Sequence, residues 1–462
     1  MKINVSDKRE LRKLDYSAER RKGRMKFNVS DKRELRKLDY SAERRKGRMK
    51  FNVSDKRELR KLDYSAERRK GRIKFKDDMT KRIMILLLAV AVGLHSCRED
   101  EVVVPTEYDL IPEHAVKGQG VQGMYLLNEG NMGSNKCTLD YVDFVQGYYV
   151  RNLYAERNPT VIKELGDVGN DIQVYGSRLY VVVNCSNKIE VLDARTARRI
   201  GQVDIPNVRY IRFHKGYAYA SSYVGPVQLN NPDAVKGAVY KIDTLTLRAV
   251  AKCTVGYQPD ELCVLGQYIY VANSGGYMAP NYDNTVSVIE IEGFKQVEKI
   301  PVGINLHRIK ADAEGKLWVT SRGDYQGIRS NLYVLQKKRG RNEMEVTDTL
   351  DIPCSNFCIH GDSLFYYSTE WSNFEQRNTI TYGIVNTVTK EKVSDAFITD
   401  GTEKDITIPY GINVHPETGD IYVTDAKNYV SSGVLHCYSK EGRRKWSVRT
   451  GDIPAHTVFI KD

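Results

Sequence analysis

The chain has 462 residues, of which 41% are apolar and 30 are tyrosines, a composition typical of a folded protein rich in β-structure. Its formal net charge of +12 is unevenly distributed: residues 1–72 account for +15 and residues 73–96 for +2, which leaves −5 for residues 97–462. A folded part with a net negative charge does not favour nucleic-acid binding, so no nucleic-acid partner is predicted.

Residues 1–72 are three nearly identical copies of a 24-residue block, in which Ile3 stands where the other copies have Phe27 and Phe51. A segment this basic fits a helical arm for a nucleic acid or a membrane surface. The near-identity of the copies favours a second interpretation, a recent duplication upstream of the true start. We therefore predict that residues 1–78 are not part of the mature protein.

Residues 79–96 have the features of a secretory signal. Lys81 and Arg82 precede an apolar core, residues 83–94, and the small residue Ser96 follows just before Cys97. This core is too short to span the membrane, since crossing about 30 Å of hydrocarbon takes about 20 residues. The order of charge, apolar core and small residue predicts a signal peptide, and the alternative is a buried helix of a longer domain.

The end of this segment resembles a bacterial lipobox, in which cleavage precedes the cysteine and its thiol is lipidated, although His95 departs from that pattern. Cys97 is therefore the predicted lipidation site, and residues 97–119 are predicted to be the lipidated cysteine and a linker. Residues 98–101 resemble the export signal of Bacteroidetes surface lipoproteins, and an acidic solvated tether is the alternative. The predicted location is the outer membrane, lipid-anchored, at the cell surface.

From residue 120 onward, short segments rich in Val, Ile and Tyr alternate with turns, which predicts an all-β fold. The clearest unit, residues 409–425, predicts a first strand, a glycine-bearing turn and a second strand with an aromatic residue before a polar exit. Degenerate copies place this aromatic residue 39 to 56 residues apart, at Tyr125, Tyr180, Tyr219, Tyr270, Trp318, Tyr366 and Tyr422. Four-stranded propeller blades recur at about 40–50 residues.

The two ends of this region contain complementary half-units. Residues 124–130 form a second strand with no first strand before it, and residues 454–460 form a first strand with no second strand after it. We therefore predict that residues 120–462 are a single seven-bladed β-propeller, closed by pairing of the C-terminal strand with the N-terminal blade. An open β-solenoid or two β-sandwiches would leave the missing strands unexplained.

One mouth of the central channel is the predicted binding surface. The starts of the first strands and the loops between second and third strands meet there, and the two longest loops are residues 223–237 and 274–284. Aromatic and amide side chains in such positions suit a large ligand with many amide or hydroxyl groups. The alternative is that each ring packs onto the body of the propeller. The predicted ligand-binding residues are Tyr223, Tyr277, Tyr282, Tyr325, Trp371, Tyr429, His307, His456 and Asn131.

Catalytic patterns are weak. Residues 361–364 spell the GDSL signature of a lipase and esterase family, but they occupy the turn between a first and a second strand. His307 and His456 lie at first-strand starts, and the sequence places no acid or base beside them. The seven cysteines after Cys97 contain no CxxC motif and are predicted to be small core residues. We predict no enzyme activity, catalytic residue, metal site or cofactor.

Three stretches carry a family resemblance: residues 125–135 (YLLNEGNMGSN), 408–429 (IPYGINVHPETGDIYVTDAKNY) and 451–459 (GDIPAHTVF). They resemble the YncE-like surface propellers of Bacteroidetes, which include the BtuG cobalamin-capture family. The resemblance implies a seven-bladed fold, a lipid anchor, a corrinoid ligand and a TonB-dependent transporter as partner.

These expectations lead to three functional hypotheses, of which two are binding roles and one is an enzymatic role. In the first, a surface lipoprotein captures a bulky solute, cobalamin or another corrinoid, at one propeller mouth and hands it to an outer-membrane transporter. In the second, the propeller is a protein- or glycan-binding scaffold of a surface complex. In the third, it is a propeller lyase that uses His307 or His456.

Overall fold

The computed structural model describes residues 2–5, 26–29, 50–52, 106–113, 115–161, 164–338, 340–341, 343–372 and 377–461. The predicted signal peptide, the predicted lipidation site Cys97 and most of the predicted tandem repeats lie outside these residues. The chain divides into two compact units, residues 1–98 and 99–462. Within the described part of the chain, no helix combines the length and the apolar character needed to cross a bilayer.

The first unit contains a parallel three-stranded sheet built from equivalent residues of the three repeats. Its strands are β1 (Lys2–Val5), β2 (Lys26–Val29) and β3 (Lys50–Asn52). Lys2 pairs with Lys26, and Lys26 pairs with Lys50, so the copies are aligned in register.

The second unit consists of seven antiparallel sheets, numbered here as blades 1 to 7 in chain order. Blade 1 contains β4 (Glu107–Leu110), β5 (Val121–Asn128), β6 (Thr138–Asp143), β7 (Tyr148–Arg151) and the C-terminal strand β32 (Pro454–Lys461). Blade 2 contains β8 (Gly169–Tyr175), β9 (Arg178–Val183), β10 (Lys188–Asp193) and β11 (Arg199–Asp204). Blade 3 contains β12 (Val208–His214), β13 (Tyr217–Ser222), β14 (Ala238–Asp243) and β15 (Arg248–Thr254).

The remaining blades repeat this plan. Blade 4 contains β16 (Pro259–Leu265), β17 (Tyr268–Asn273), β18 (Thr285–Glu290) and β19 (Lys295–Pro301). Blade 5 contains β20 (Leu306–Ala311), β21 (Leu317–Ser321), β22 (Asn331–Lys337) and β23 (Met344–Thr349). Blade 6 contains β24 (Asn356–His360), β25 (Ser363–Ser372), β26 (Arg377–Asn386) and β27 (Lys392–Ser394). Blade 7 contains β28 (Pro409–Val414), β29 (Ile421–Asp425), β30 (Ser432–Tyr438) and β31 (Arg444–Asp452), and the short helices are α1 (Leu153–Arg157) and a 3-10 turn (Thr402–Asp405).

In blades 2 to 7 the four strands pair in the order in which they occur in the chain. The first strands of successive blades contact one another, as β8, β12, β16 and β20 do, and they therefore form the inner wall of the ring. Second strands are buried along nearly their whole length between neighbouring blades, whereas fourth strands such as β11 are mostly exposed. Because second strands are covered on both faces, they are continuously apolar in sequence.

The predicted closure is confirmed. β32 pairs antiparallel with β5, and Pro454 lies opposite Asn128 while Thr457 lies opposite Leu126. The C-terminal strand is thus the innermost strand of blade 1, and the fold is the predicted seven-bladed propeller.

Blade 1 also has a fifth strand that the sequence analysis did not predict. β4 lies within the predicted linker 97–119 and pairs antiparallel with β7 at the outer edge of the blade. All four of its residues are exposed, and its sequence EYDL is a short run between Pro105 and Pro112, a setting typical of a linker. An ion pair between Glu107 and Arg151 holds it to the blade.

The repeated aromatic residue of each second strand is a packing residue. All seven, from Tyr125 to Tyr422, are at most 2% exposed and pack between neighbouring blades. Trp318 is completely buried, and its indole Nε1 donates a hydrogen bond to Asp312 Oδ2 at 2.9 Å. The aromatic residue that repeats in the sequence therefore occupies the same core position in every blade.

Other weak patterns are also structural. Gly361 and Asp362 form the tight turn between β24 and β25, as predicted for the GDSL stretch. His415 Nδ1 accepts backbone hydrogen bonds from Glu417 and Thr418, so it stabilises the equivalent turn of blade 7. All seven cysteines after Cys97 have free thiols, and five of them are buried.

Replacing Trp318 with alanine tests the packing role of the repeated aromatic residue. Loss of a buried aromatic ring from a close-packed core lowers the free energy of unfolding by about 3–5 kcal/mol. Chemical denaturation of the full chain measures this change. Tyr325→Ala is the control, because Tyr325 is 71% exposed and its removal should change stability by no more than about 0.5 kcal/mol. Equal effects of the two changes would contradict the packing role.

Candidate functional site

Six of the seven inner strands begin with a β-bulge. The pairing of β8, β12, β16, β20, β28 and β32 with the neighbouring strand shifts register within their first residues. A bulge places two residues opposite one and redirects their side chains. We define the bulge ring as the polar and aromatic residues at or directly after these bulges: Asn170, Arg209, Tyr210, Asp260, Glu261, His307, Arg308, Tyr410 and His456.

Hydroxyl side chains at the ends of second strands hold three of these bulges. The backbone N–H of Tyr210 donates to Ser221 Oγ at 3.1 Å, and that of Arg308 donates to Thr320 Oγ1 at 3.0 Å. In blade 7, Thr424 Oγ1 accepts from the corresponding N–H at 2.7 Å. The polar exit recognised in the sequence unit thus has a definite role, because it satisfies a backbone donor that the bulge leaves unpaired.

Contacts between blades that are not neighbours place the bulge ring in the central channel. The Tyr210 hydroxyl of blade 3 lies 3.3 Å from His307 Nε2 and 2.8 Å from an Arg308 nitrogen, both of blade 5. The ring of Tyr210 is also 6.3 Å from the ring of His456 in blade 1. Blades that are not adjacent face one another only across the axis, so these side chains meet there.

Asp260 is a buried carboxylate of the bulge ring. It accepts hydrogen bonds from Arg209 at 3.3 Å, Arg322 at 2.8 Å and the Tyr223 hydroxyl at 3.0 Å. Burial works to raise the pKa of this carboxyl group, but Arg322 and Arg209 hold it below its usual value. Asp260 is therefore a charged, fully paired carboxylate that fixes the positions of its three partners.

Tyr210 connects His307 and Arg308. Burial raises the pKa of Tyr210 to about 12, so its phenol is protonated at neutral pH. A guanidinium can only donate, so the Tyr210 hydroxyl accepts from Arg308, and it also forms a hydrogen bond with His307 Nε2 whose direction depends on the imidazole tautomer. Burial, followed by repulsion from Arg322 and Arg308, places the pKa of His307 well below its usual value, which agrees with a neutral ring.

Glu129 is a mouth residue that sequence reasoning missed. Its carboxylate accepts from the Tyr410 hydroxyl at 2.9 Å and lies 3.3 Å from His456 Nε2. The predicted closure contained the signal for this contact, because pairing of residues 454–460 with the N-terminal blade brings His456 next to the end of β5. The local sequence places no acid beside His456, and it is the strand pairing that brings Glu129 there from 327 positions away.

The predicted rim residues fall into different environments. Tyr325, Tyr429 and Tyr277 are exposed, by 71%, 39% and 37%. Tyr282 is half-buried, Tyr223 is buried, and the side chain of Trp371 lies outside the described residues.

Two rim clusters can be recognised. The rings of Tyr223 and Tyr277 are 6.3 Å apart, and those of Tyr410 and Tyr429 are 5.8 Å apart. Asn131 donates its side-chain amide to the backbone carbonyl of Tyr429. The first cluster adjoins Asp260 and the second adjoins Glu129, so both connect the rim to the bulge ring.

Among the described residues, one group has the spacing of a metal site, formed by Glu113, Asp420 and Cys437. The ammonium of Lys445 lies 2.7 Å from Glu113 and 2.9 Å from Asp420, between the two carboxylates. A lysine cation already neutralises this group, which is therefore an ion cluster of the fold.

Two clefts of about 390 and 440 Å³ lie away from the mouth. One contacts Tyr108 and Tyr148 at the outer strands of blade 1, and the other contacts Ile380 and Lys392 in blade 6. Neither cleft is lined by a bulge-ring residue.

Comparisons with known proteins agree with the fold. A family model described as "Domain of unknown function (DUF5074)" matches residues 122–460, and no curated protein matches the chain. A Bacteroides uniformis protein described as a candidate 6-phosphogluconolactonase is similar at 12% identity and a TM-score of 0.50, over 73% of this chain and 99% of that one. Its similarity supports the propeller fold alone.

Two further solved structures are more distant in shape. Hydrazine synthase of Kuenenia stuttgartiensis is 15% identical with a TM-score of 0.48, over 59% of this chain and 77% of that one. Hsv2 of Kluyveromyces lactis is 12% identical with a TM-score of 0.37, over 59% and 74%.

The neutral state of His307 predicts a pH dependence of stability. Because its folded pKa lies below the unfolded value of 6.5, the unfolded chain gains a proton below pH 6.5 that the folded chain does not. The stabilising contribution is complete above pH 6.5 and is lost as the pH falls. In His307→Asn, the drop in unfolding free energy between pH 6.5 and 5.5 should be smaller by about 1 kcal/mol.

Urea denaturation of both proteins at pH 8, 6.5 and 5.5 measures this difference. Loss of the hydrogen bond to Tyr210 alone would lower stability equally at every pH. A constant difference between the two proteins would therefore refute a neutral, desolvated His307.

Proposed function

The chain belongs to the DUF5074 family, and on this premise we propose that it is a non-enzymatic capture protein, which binds a bulky polar solute at the mouth of its propeller. The proposed solute is cobalamin or another corrinoid. The proposed partner is a TonB-dependent outer-membrane transporter, to which the solute is handed over. Lipidation at Cys97 would hold the protein at the outer membrane, at the cell surface.

The side chains at the mouth of the propeller are the main support for this proposal. Exposed rings at the rim, Tyr277, Tyr325 and Tyr429, lie in the loops above a channel of charged and hydroxyl-bearing side chains. Aromatic faces provide contact area with little loss of side-chain entropy, while the polar groups can orient amides. A corrinoid is large and bears many peripheral amides, so it matches both features. The resemblance of residues 408–429 and 451–459 to YncE-like surface propellers points the same way.

The arrangement of charge favours binding over catalysis. Asp260 is paired with two arginines, and the His307 imidazole is bonded to Tyr210. Groups engaged in this way form a pre-organised surface, which lowers the entropic cost of binding. The pair of Glu129 and His456 is the arrangement that an acid–base mechanism would use, and replacing either residue tests the lyase hypothesis through any measured activity.

Calorimetric titration of the full chain with cobalamin tests the proposal. We expect a dissociation constant below about 1 μM, equivalent to about −8 kcal/mol. Tyr277→Ala and Tyr429→Ala should each weaken binding by about 5- to 30-fold, which corresponds to about 1–2 kcal/mol per truncated contact. Tyr148→Ala is the matched control, because Tyr148 has the same 37% exposure as Tyr277 but lies on an outer strand of blade 1.

Absence of heat with both cobalamin and cobinamide would remove the corrinoid proposal. Affinity purification from outer membranes distinguishes the two proposed roles. Recovery of a cobalamin transporter with this protein would support the capture role. A glycan importer would support the alternative, a protein- or glycan-binding scaffold.

A further inference from the structure

Arginines of the channel differ in how they are neutralised. Arg209 and Arg322 share the carboxylate of Asp260, at 3.3 and 2.8 Å. Arg212 is bonded to Asp171 at 2.7 Å and also to Glu261. Each of these three guanidinium groups therefore has a carboxylate partner, as expected for charges that are mostly removed from water.

Arg308 is the exception. It is 8% exposed, and among the described residues its side chain has a single hydrogen-bond acceptor, the neutral hydroxyl of Tyr210. Its Nε is buried without an acceptor in the same part of the chain. The carboxylate of Glu261 is close by, but one of its oxygens bonds Arg212 and the other accepts the backbone N–H of Ile309 at 3.1 Å.

A second cation lies near Arg308. Lys310 is two residues further along β20, just after the bulge, and it is close enough for the charge of Arg308 to act on its pKa. Its ammonium donates to the backbone carbonyl of Phe357 and lies 5.0 Å from the centre of the Phe357 ring. In the described part of the chain it has no carboxylate within ion-pair distance. Burial lowers the pKa of Lys310, and the nearby Arg308 adds to this effect, while the charge of Glu261 partly opposes it.

Among the described residues, neither Arg308 nor Lys310 has a carboxylate in ion-pair contact. A buried guanidinium without a carboxylate partner is costly, and an arriving anion that bonds it offsets part of that cost. The neutral His307 is bonded through Nε2 to the same Tyr210 hydroxyl that accepts from Arg308.

We propose that Arg308 and Lys310 form an anion subsite within the channel, which receives a phosphate or carboxylate group of the captured solute. Arg308 provides two donors in a planar fork, and Lys310 provides a point charge beside it. The identity of the solute rests on the proposed function, but the subsite itself does not. A corrinoid that retains its phosphate would place that group in this subsite.

Cobinamide and cobinamide phosphate, which differ by a single phosphate group, give a direct test. The full chain should bind cobinamide phosphate more tightly than cobinamide. Arg308→Gln should weaken binding of the phosphorylated ligand by about 10- to 100-fold and that of cobinamide by less than about threefold, because a charge-assisted hydrogen bond is lost only with the former. Arg308→Lys keeps the charge but loses the planar fork, so it should weaken binding of the phosphorylated ligand less than Arg308→Gln does.

Arg178→Gln is the matched control. Arg178 is half-buried at the start of β9 and donates to a neutral carbonyl, that of Thr244, away from the mouth. This change should leave both affinities as they are. Equal weakening of the two ligands by Arg308→Gln would overturn the subsite, even where corrinoid binding itself is observed.

Inorganic phosphate separates failure of the subsite from failure of the proposed function. In thermal unfolding at constant ionic strength, phosphate should raise the melting temperature of the full chain relative to chloride, and it should not do so for Arg308→Gln. If corrinoids do not bind but this difference is seen, the subsite stands and the corrinoid proposal falls. If phosphate stabilises neither protein, or both equally, the subsite is overturned. Should Arg308→Gln fail to fold, the loss of the phosphate effect in Lys310→Met decides the question.

Discussion

One strand pairing, that of β32 with β5, joins the two ends of the propeller, and the rest of the ring depends on it. Second strands such as β9 are apolar on both faces and must be covered by a blade on each side. A row of blades would leave one such face bare at each end, whereas a ring leaves none. The pairing also occupies the inner edge of blade 1, which would otherwise present free backbone donors and acceptors to other chains.

The same closure gives the channel its chemistry. Inner strands from all parts of the chain meet at one mouth, and their bulges turn polar side chains such as Asp260 and Tyr210 towards it. Side chains of one inner strand bond the backbone of the next, as Glu261 does with the N–H of Ile309. Polar groups in the channel thus connect the blades and form the candidate site, so the rigidity of the ring and the polarity of the mouth have a common origin.

The fold could be predicted from the sequence because its signals are repeated. The aromatic residues from Tyr125 to Tyr422 mark every blade, and the unmatched half-units at residues 124–130 and 454–460 indicate closure. The outer strand β4 was not predicted, because its four residues lie between two prolines and give no pattern long enough to distinguish a strand from a linker. The site was predicted only in outline. The exposed tyrosines of the rim follow from loop position, but contacts such as that of Glu129 with His456 depend on bulges and pairings between distant residues.

The contact between Glu129 and His456 has a mechanical consequence. Glu129 directly follows β5 and His456 belongs to β32, so this hydrogen bond lies across the seam where the ring closes. An occupant of the mouth that contacted this pair would bind only the closed ring, so its binding free energy would oppose fraying of the terminal strand. Backbone amides of that strand would then exchange with solvent more slowly in the ligand-bound protein than in the free protein.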